Sequence, residues 1–404
     1  MKLLVILLLA LGTVYRLTLS VVRHRSACNP IPQNVADVFD AETYEKWRRY
    51  SGEKSRLEIL STVLSFAAMA ILLCTDVYAA FASLLPGGTW QLFSVVILDA
   101  IVSALVGVGV NYYDSMVIEE KYGFNRTKGK TFIADQIRRF LAEVGIGGVL
   151  AWLLSLLHTA LGDWMILLFA GAVFCFTLLI SFLYPIFSRI GNKFTPMEEG
   201  ELRDSLQALL IKHGYRVKAI EVMDASRRTT KLNAYFTGFG KLKTIVLFDN
   251  LINAMTPEEI CAVFAHELGH GLHKDVLKRQ IMNFGNLLLM AAVAWLAVRD
   301  PELHTAFGFA EVNYGFAYIL IGIGLSLTQP LSSMAMNTYS RRAEYRADRQ
   351  AVEEGYGDAM ITGLKKLARE NFAHLAPSPV NVVLEYSHPP LSQRIAAIEA
   401  ATGK

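Results

Sequence analysis

The sequence predicts a mainly α, polytopic membrane protein with one water-facing region that contains a small β-sheet. Three observations predict it. Seven apolar stretches each approach the ~20 helical residues that a bilayer core requires. Lys and Arg collect in alternate loops between those stretches. Strand-like runs cluster together between residues 188 and 279. The 404 residues are 53% hydrophobic and 19% charged, only a modest shift from soluble averages. The arrangement in blocks, more than the total, therefore decides the class.

The apolar stretches cover residues 3–22, 59–85, 92–113, 144–161, 164–187, 281–298 and 316–336. Only Lys2 precedes the first of them, whereas Arg23, His24 and Arg25 follow it. A cleaved signal peptide has the opposite charge order, so this stretch reads as a retained span. Gly162 and Asp163 alone separate the fourth and fifth stretches, as in a tight helical hairpin.

The loops set the orientation. Loop 23–56 carries Arg23, Arg25, Lys46, Arg48, Arg49, Lys54 and Arg56, and loop 114–143 is similarly basic. Loops 86–91 and 162–163 have no Lys or Arg, and 299–315 has Arg299 alone. The positive-inside rule then puts the odd loops and the carboxyl terminus in the cytoplasm, and the amino terminus outside or in a lumen. The membrane is that of the endoplasmic reticulum in a eukaryote and the cell membrane in a bacterium. A net charge of +3 gives no support to a nucleic-acid partner. Cys28, Cys74, Cys175 and Cys261 form no metal-binding or disulfide pattern and read as free thiols.

Four regions follow: 1–187 with five spans, 188–279 outside the bilayer, 280–336 with two more spans, and a helical region at 337–404. Region 188–279 opens with an expected helix at 196–213 and continues with strand-like runs at 219–223, 233–239 and 244–248. Gly238, Gly240 and Lys241 supply a hairpin turn between the last two. Thr256-Pro257-Glu258-Glu259 then reads as an N-cap, a first-position proline and an acidic first turn.

That helix carries Ala265-His266-Glu267-Leu268-Gly269-His270. Histidines four apart share a helical face, so both imidazoles can reach one zinc ion. Glu267 lies between them, able to take a proton from water on the metal. The surrounding residues are mostly apolar, and burying two histidines and a glutamate there is costly unless they are paired or bind a metal. A third ligand is required, with a position left open for water. His273 is about 10 Å along the helix from His266, too far to share one site. Glu344 and Asp348 follow the last apolar stretch, four apart on a second helix, and spacing alone does not rank them. One can bind the metal while the other holds an imidazole.

Segments 120–126, 224–226, 233–240, 245–249, the His266–His270 motif, 341–348 and Tyr386-Ser387-His388-Pro389-Pro390 are spread along nearly the whole chain. In these segments, and in their order, the chain resembles the type I CAAX prenyl endopeptidases, integral-membrane zinc metalloproteases. The sequence departs from eukaryotic members at Gly271, where they usually carry tryptophan. The resemblance implies seven helices around a water-filled chamber, with a zincin-like region on the cytoplasmic side. It implies one Zn2+ held by His266, His270 and Glu344, with Glu267 as the base and Asp348 behind a ligand. It also implies His388 near the substrate carbonyl and Arg394 beside it. By position in an amphipathic helix Arg394 reads as a surface charge, or functionally as a residue to hold His388 or a substrate carboxylate. Zincin-type enzymes bind peptide as an added strand on a sheet edge, which makes Asn233, Ala234, Tyr235 and Phe236 the expected substrate strand.

The expected activity is endoproteolysis of a peptide or protein substrate in the bilayer, near the carboxyl terminus of prenylated CAAX-type chains. A quality-control metalloprotease without a prenyl requirement is the nearest alternative. A transporter or scaffold with a structural zinc site is the alternative of another class. Structural sites close all four positions with protein ligands, so a glutamate between the histidines argues against it.

Overall fold

The computed structural model describes the chain except residues 126, 166, 169, 173, 176, 180–188, 190–192, 227–233, 238–241, 371 and 404. Much of the expected fifth span, Asn233 and the 238–241 turn therefore lie outside the described residues. Within them the chain forms two compact units, each built from separated stretches of sequence.

The first unit comprises Met1–Cys28, Lys46–Phe174 and Phe284–Ser333. Among the described residues six helices are long and apolar enough to cross a membrane. They are α1 (Lys2–Ser26), α2 (Ala41–Cys74), α4 (Gly88–Tyr112, continuing through a π-helical segment at Tyr113–Ile118 and a last α-turn to Tyr122), α5 (Gly129–Leu161), α9 (Asp275–Arg299) and α10 (Tyr314–Glu353). Several outrun their apolar stretches. The 34 residues of α2 span about 51 Å, against roughly 30 Å of hydrocarbon.

The second apolar stretch, expected to be continuous to residue 85, is broken. Helix α2 stops at Cys74, Asp76 takes a left-handed conformation (φ 53°), and α3 restarts at Val77–Ala82. The cause is a charge inside an apolar block. The Asp76 carboxylate accepts a hydrogen bond from Lys2 Nζ at 2.5 Å, the pairing that an ionisable group at bilayer depth requires. Leu73, Tyr78, Val95, Phe307 and Phe316 form the centre of this unit's core.

The second unit comprises Asn29–Glu45, Cys175–Asn283 and Met334–Lys404. Its sheet has the order β1-β2-β4-β3, from β1 (Phe194–Pro196), β2 (Arg216–Met223), β3 (Ala234–Thr237) and β4 (Leu242–Phe248). The central β2 and β4 are parallel, and both outer pairs are antiparallel. Strand β1 was not expected. Pro196 pairs with Glu221 instead of opening a helix, a position that an edge strand tolerates because proline needs no ladder donor there. The helix, α6, begins later at Glu201–Lys212.

Helices α7 (Asp249–Ala254) and α8 (Pro257–Leu272) follow, with α11 (Gly357–Glu370), α12 (Pro379–Glu385) and α13 (Leu391–Thr402) after α10. Two apolar faces hold α8. Ile260, Phe264 and Leu268, four apart, join Leu206, Leu210, Ile245 and Leu247 in one core. Ala262 and Ala265 join Ala351, Met360, Leu364 and Ile398 in another. The motif residues take the remaining face.

Candidate active site

Helix α8 starts where its sequence says it should. The Thr256 hydroxyl accepts a bond from Glu259 N, the Glu259 carboxylate accepts one from Thr256 N at 2.9 Å, and Pro257 takes the first turn. That fixed start sets the phase that puts His266 and His270 on one side. The approach of α10 is set by Gly269: a Cβ there would lie 2.9 Å from Ala347 Cα and 3.0 Å from Gln350 Cβ. No larger residue fits between the two histidines on that side without pushing the helices apart.

This close approach brings Glu344 of α10 onto the histidines. Its Oε2 lies 3.5 Å from His266 Nε2, and its Oε1 lies 3.3 Å from His270 Nε2. One donor atom from each residue lies within 4.8 Å of the others. Tetrahedral coordination at about 2.0–2.1 Å per bond separates neighbouring ligand atoms by roughly 3.3–3.4 Å. Each imidazole thus stands from a Glu344 oxygen at about that separation, and the three residues could together hold one small cation.

The imidazoles are also turned correctly. His266 Nδ1 donates to Asp348 Oδ1 at 2.9 Å, and His270 Nδ1 donates to Asp275 Oδ2 at 3.0 Å. A carboxylate only accepts, so each ring carries its proton on Nδ1 and offers the Nε2 lone pair inward. Burial works to lower the His270 pKa, but hydrogen bonds to Glu344 and Asp275 outweigh it and raise it above the ordinary value. The field that favours an imidazolium there equally favours a divalent cation. The donor set and its geometry fit zinc.

Asp275 had no signal in the sequence. It lies five residues past His270, beyond a turn in which Lys274 adopts φ 55°, and only that turn carries it back to the ring. Two residues of α10 fix it: Tyr339 Oη donates to its Oδ1 at 2.5 Å and Arg346 Nη2 at 2.9 Å. Tyr339 and Arg346 are seven apart, two turns along one face.

Arg394, expected beside the substrate, clamps the carboxylate that supports His266. It is buried, its Nε and Nη2 clamp Asp348 at 2.8 and 2.5 Å, and its Nη1 lies 3.3 Å from Glu344 Oε2. Burial works to lower its pKa, but the bond to Asp348 prevails and raises it. The guanidinium locks the carboxylate behind His266 and also lines the cavity.

His388 is exposed, with Nε2 at 3.4 Å from Glu344 Oε1. Arg341, also unforeseen, anchors the segment before it by donating to Val382 O at 2.8 Å and Tyr386 O at 2.7 Å. Glu267 is half-buried and lines a cavity of about 300 Å³ with the three candidate ligands, His388 and Ala234. Ala234 and Tyr235 lie on β3, an edge strand, as does the backbone of Phe236.

Residues 196–402 match peptidase family M48, and residues 21–189 match the family described as CAAX prenyl protease N-terminal, five membrane helices. The chain belongs to peptidase family M48. CAAX prenyl protease 1 of Saccharomyces cerevisiae is 31% identical over 93% of this chain and 89% of its own length. The human CAAX prenyl protease 1 homolog is 27% identical over 91% and 88%. The crystal structure of S. mikatae Ste24p superposes with a TM-score of 0.83 at 27% identity, covering 98% of this chain and 99% of that one. This M48 member is accordingly a multi-pass membrane metalloendopeptidase; its family implies a metal, and His266, His270 and Glu344 form a group that could hold one.

Proposed function

We propose that the protein is a zinc endopeptidase that cleaves near the carboxyl terminus of CAAX proteins, with one Zn2+ per chain held by His266, His270 and Glu344. The observation that carries the reading is the separation of 3.3–3.5 Å between the Glu344 oxygens and the two Nε2 atoms, with Glu267 beside them. Polarisation of the scissile carbonyl and acidification of water are the chemistry that zinc supplies in such a site. Glu267 takes the proton of the attacking water and passes it to the leaving amine. His388, exposed at the cavity, donates a hydrogen bond to the carbonyl oxygen as charge develops there. The peptide adds to the free edge of β3 at Ala234, Tyr235 and Phe236.

The names of the relatives supply the substrate class. The catalytic region faces the cytoplasm, following the loop charges, and the membrane is that of the endoplasmic reticulum if the source is eukaryotic.

The test is cleavage of a farnesylated CAAX peptide by purified protein in detergent, with zinc content measured alongside. Wild type should cleave, and a chelator should abolish cleavage. Glu267→Gln should keep its zinc and lose roughly 10²- to 10⁴-fold in kcat. Bound zinc without cleavage would remove this substrate and point to unprenylated membrane proteins. A protein that binds no zinc would refute the proposal.

A further inference from the structure

Helix α9 begins with the Asp275 carboxylate fixed on His270. Arg279 is four residues further, so it shares that face, about 6 Å along the axis. The face that supports the metal site thus presents a guanidinium one turn on. Arg279 lines the same cavity of about 300 Å³ as His266, Glu267, His270 and Glu344.

Two arginines line that cavity, and their situations are opposite. The guanidinium of Arg394 is buried and used up on Asp348 and Glu344. Arg279 is exposed and makes no hydrogen bond or ion pair with any described residue. A solvated guanidinium beside a peptide-cleaving centre is free to take an anion from the substrate.

A peptide cut a few residues from its end carries such an anion, its terminal carboxylate. In a CAAX sequence three residues follow the cysteine, so an extended tripeptide sets the carboxylate at most about 10 Å from the scissile bond. The planar fork of a guanidinium matches a carboxylate through two parallel hydrogen bonds. We propose that Arg279 binds the free C-terminal carboxylate of the substrate and so fixes the cut at a short, set distance from the chain end. This inference rests on the CAAX reading of the substrate given above.

The experiment compares one farnesylated CAAX peptide as its C-terminal acid and as its C-terminal amide. The full-length zinc enzyme is assayed as wild type, Arg279→Met, Arg279→Lys and Arg279→Glu, with zinc content and thermal midpoint measured for each. Wild type should favour the acid by about 10- to 100-fold in kcat/KM, the range of a hydrogen-bonded charge pair. The difference should appear mainly in KM, because the carboxylate is remote from the bond that breaks. The ratio should fall towards one in Arg279→Met, keep part of its value in Arg279→Lys and invert in Arg279→Glu. Arg279→Lys retains the charge and keeps the test decisive should Arg279→Met fail to fold.

An acid-to-amide ratio that no substitution alters would overturn the inference and leave the protease reading standing. That is the behaviour of an arginine that only anchors the start of an apolar span. Wild type cleaving neither peptide would overturn the substrate reading and this inference with it.

Discussion

A histidine ligand works only if its second nitrogen is held, and this chain supplies a carboxylate to each of the two proposed ligands. Asp348 holds His266 and is itself held by Arg394; Asp275 holds His270 and is held by Tyr339 and Arg346. The two supports are alike chemically but unequal in exposure to sequence reading. Asp348 sits four residues from Glu344 on one helix, a spacing visible in the sequence. Asp275 depends on a left-handed Lys274, which no periodicity announces. The functional weight of the two should nevertheless be similar. Asp275→Asn should weaken zinc binding by about 10- to 100-fold, measured by competition with a chromogenic chelator. Its fold should persist, because the amide oxygen still accepts from Tyr339. Undiminished zinc affinity would mean that the His270 ring is oriented by packing alone.

At the scale of elements, the site is a crossing of α8 and α10 made possible by one missing side chain. The motif leaves the residue before its second histidine unspecified, yet here Gly269 has Ala347 Cα only 2.9 Å from where a Cβ would stand. The atom in the way is backbone, so the clash cannot be relieved by a rotamer. Gly269→Ala should cost about 1–3 kcal/mol, as overpacking does, and should also lower zinc occupancy by drawing Glu344 away from the imidazoles. Gly285 on α9 meets nothing within 4 Å. Gly285→Ala is therefore the control, expected to hold or raise the thermal midpoint. The start of α8 was legible because capping is local chemistry: Thr256, Pro257 and Glu259 sit within four residues. Strand β1 was not, because Phe194-Thr195-Pro196 becomes a strand only through pairing with β2. The pairing that accompanies the break at Asp76 is likewise non-local, since Lys2 lies 74 residues away in sequence.

Over the whole molecule, hydropathy announced the membrane class, since a bilayer imposes a length and a composition on each span. It could not announce that stretches as distant as 29–45, 175–283 and 334–404 assemble into one unit, because that depends on contacts with no local signature. Orientation is a different kind of property. It follows from summed loop charge, and the four cysteines provide a direct test of it. Cys28 is exposed just past the end of α1, in the basic loop assigned to the cytoplasm. Cys261 is buried in α8, where burial also raises its thiol pKa and so suppresses the reactive thiolate. A Cys74→Ser, Cys175→Ser variant therefore keeps one thiol open to a membrane-impermeant maleimide. In sealed vesicles with the cytoplasmic face outward, that variant should be labelled at Cys28 at once. In vesicles of the opposite sense it should be labelled only after detergent is added. The reverse pattern would invert the topology and move the proposed zinc site, with its substrates, to the other side of the membrane.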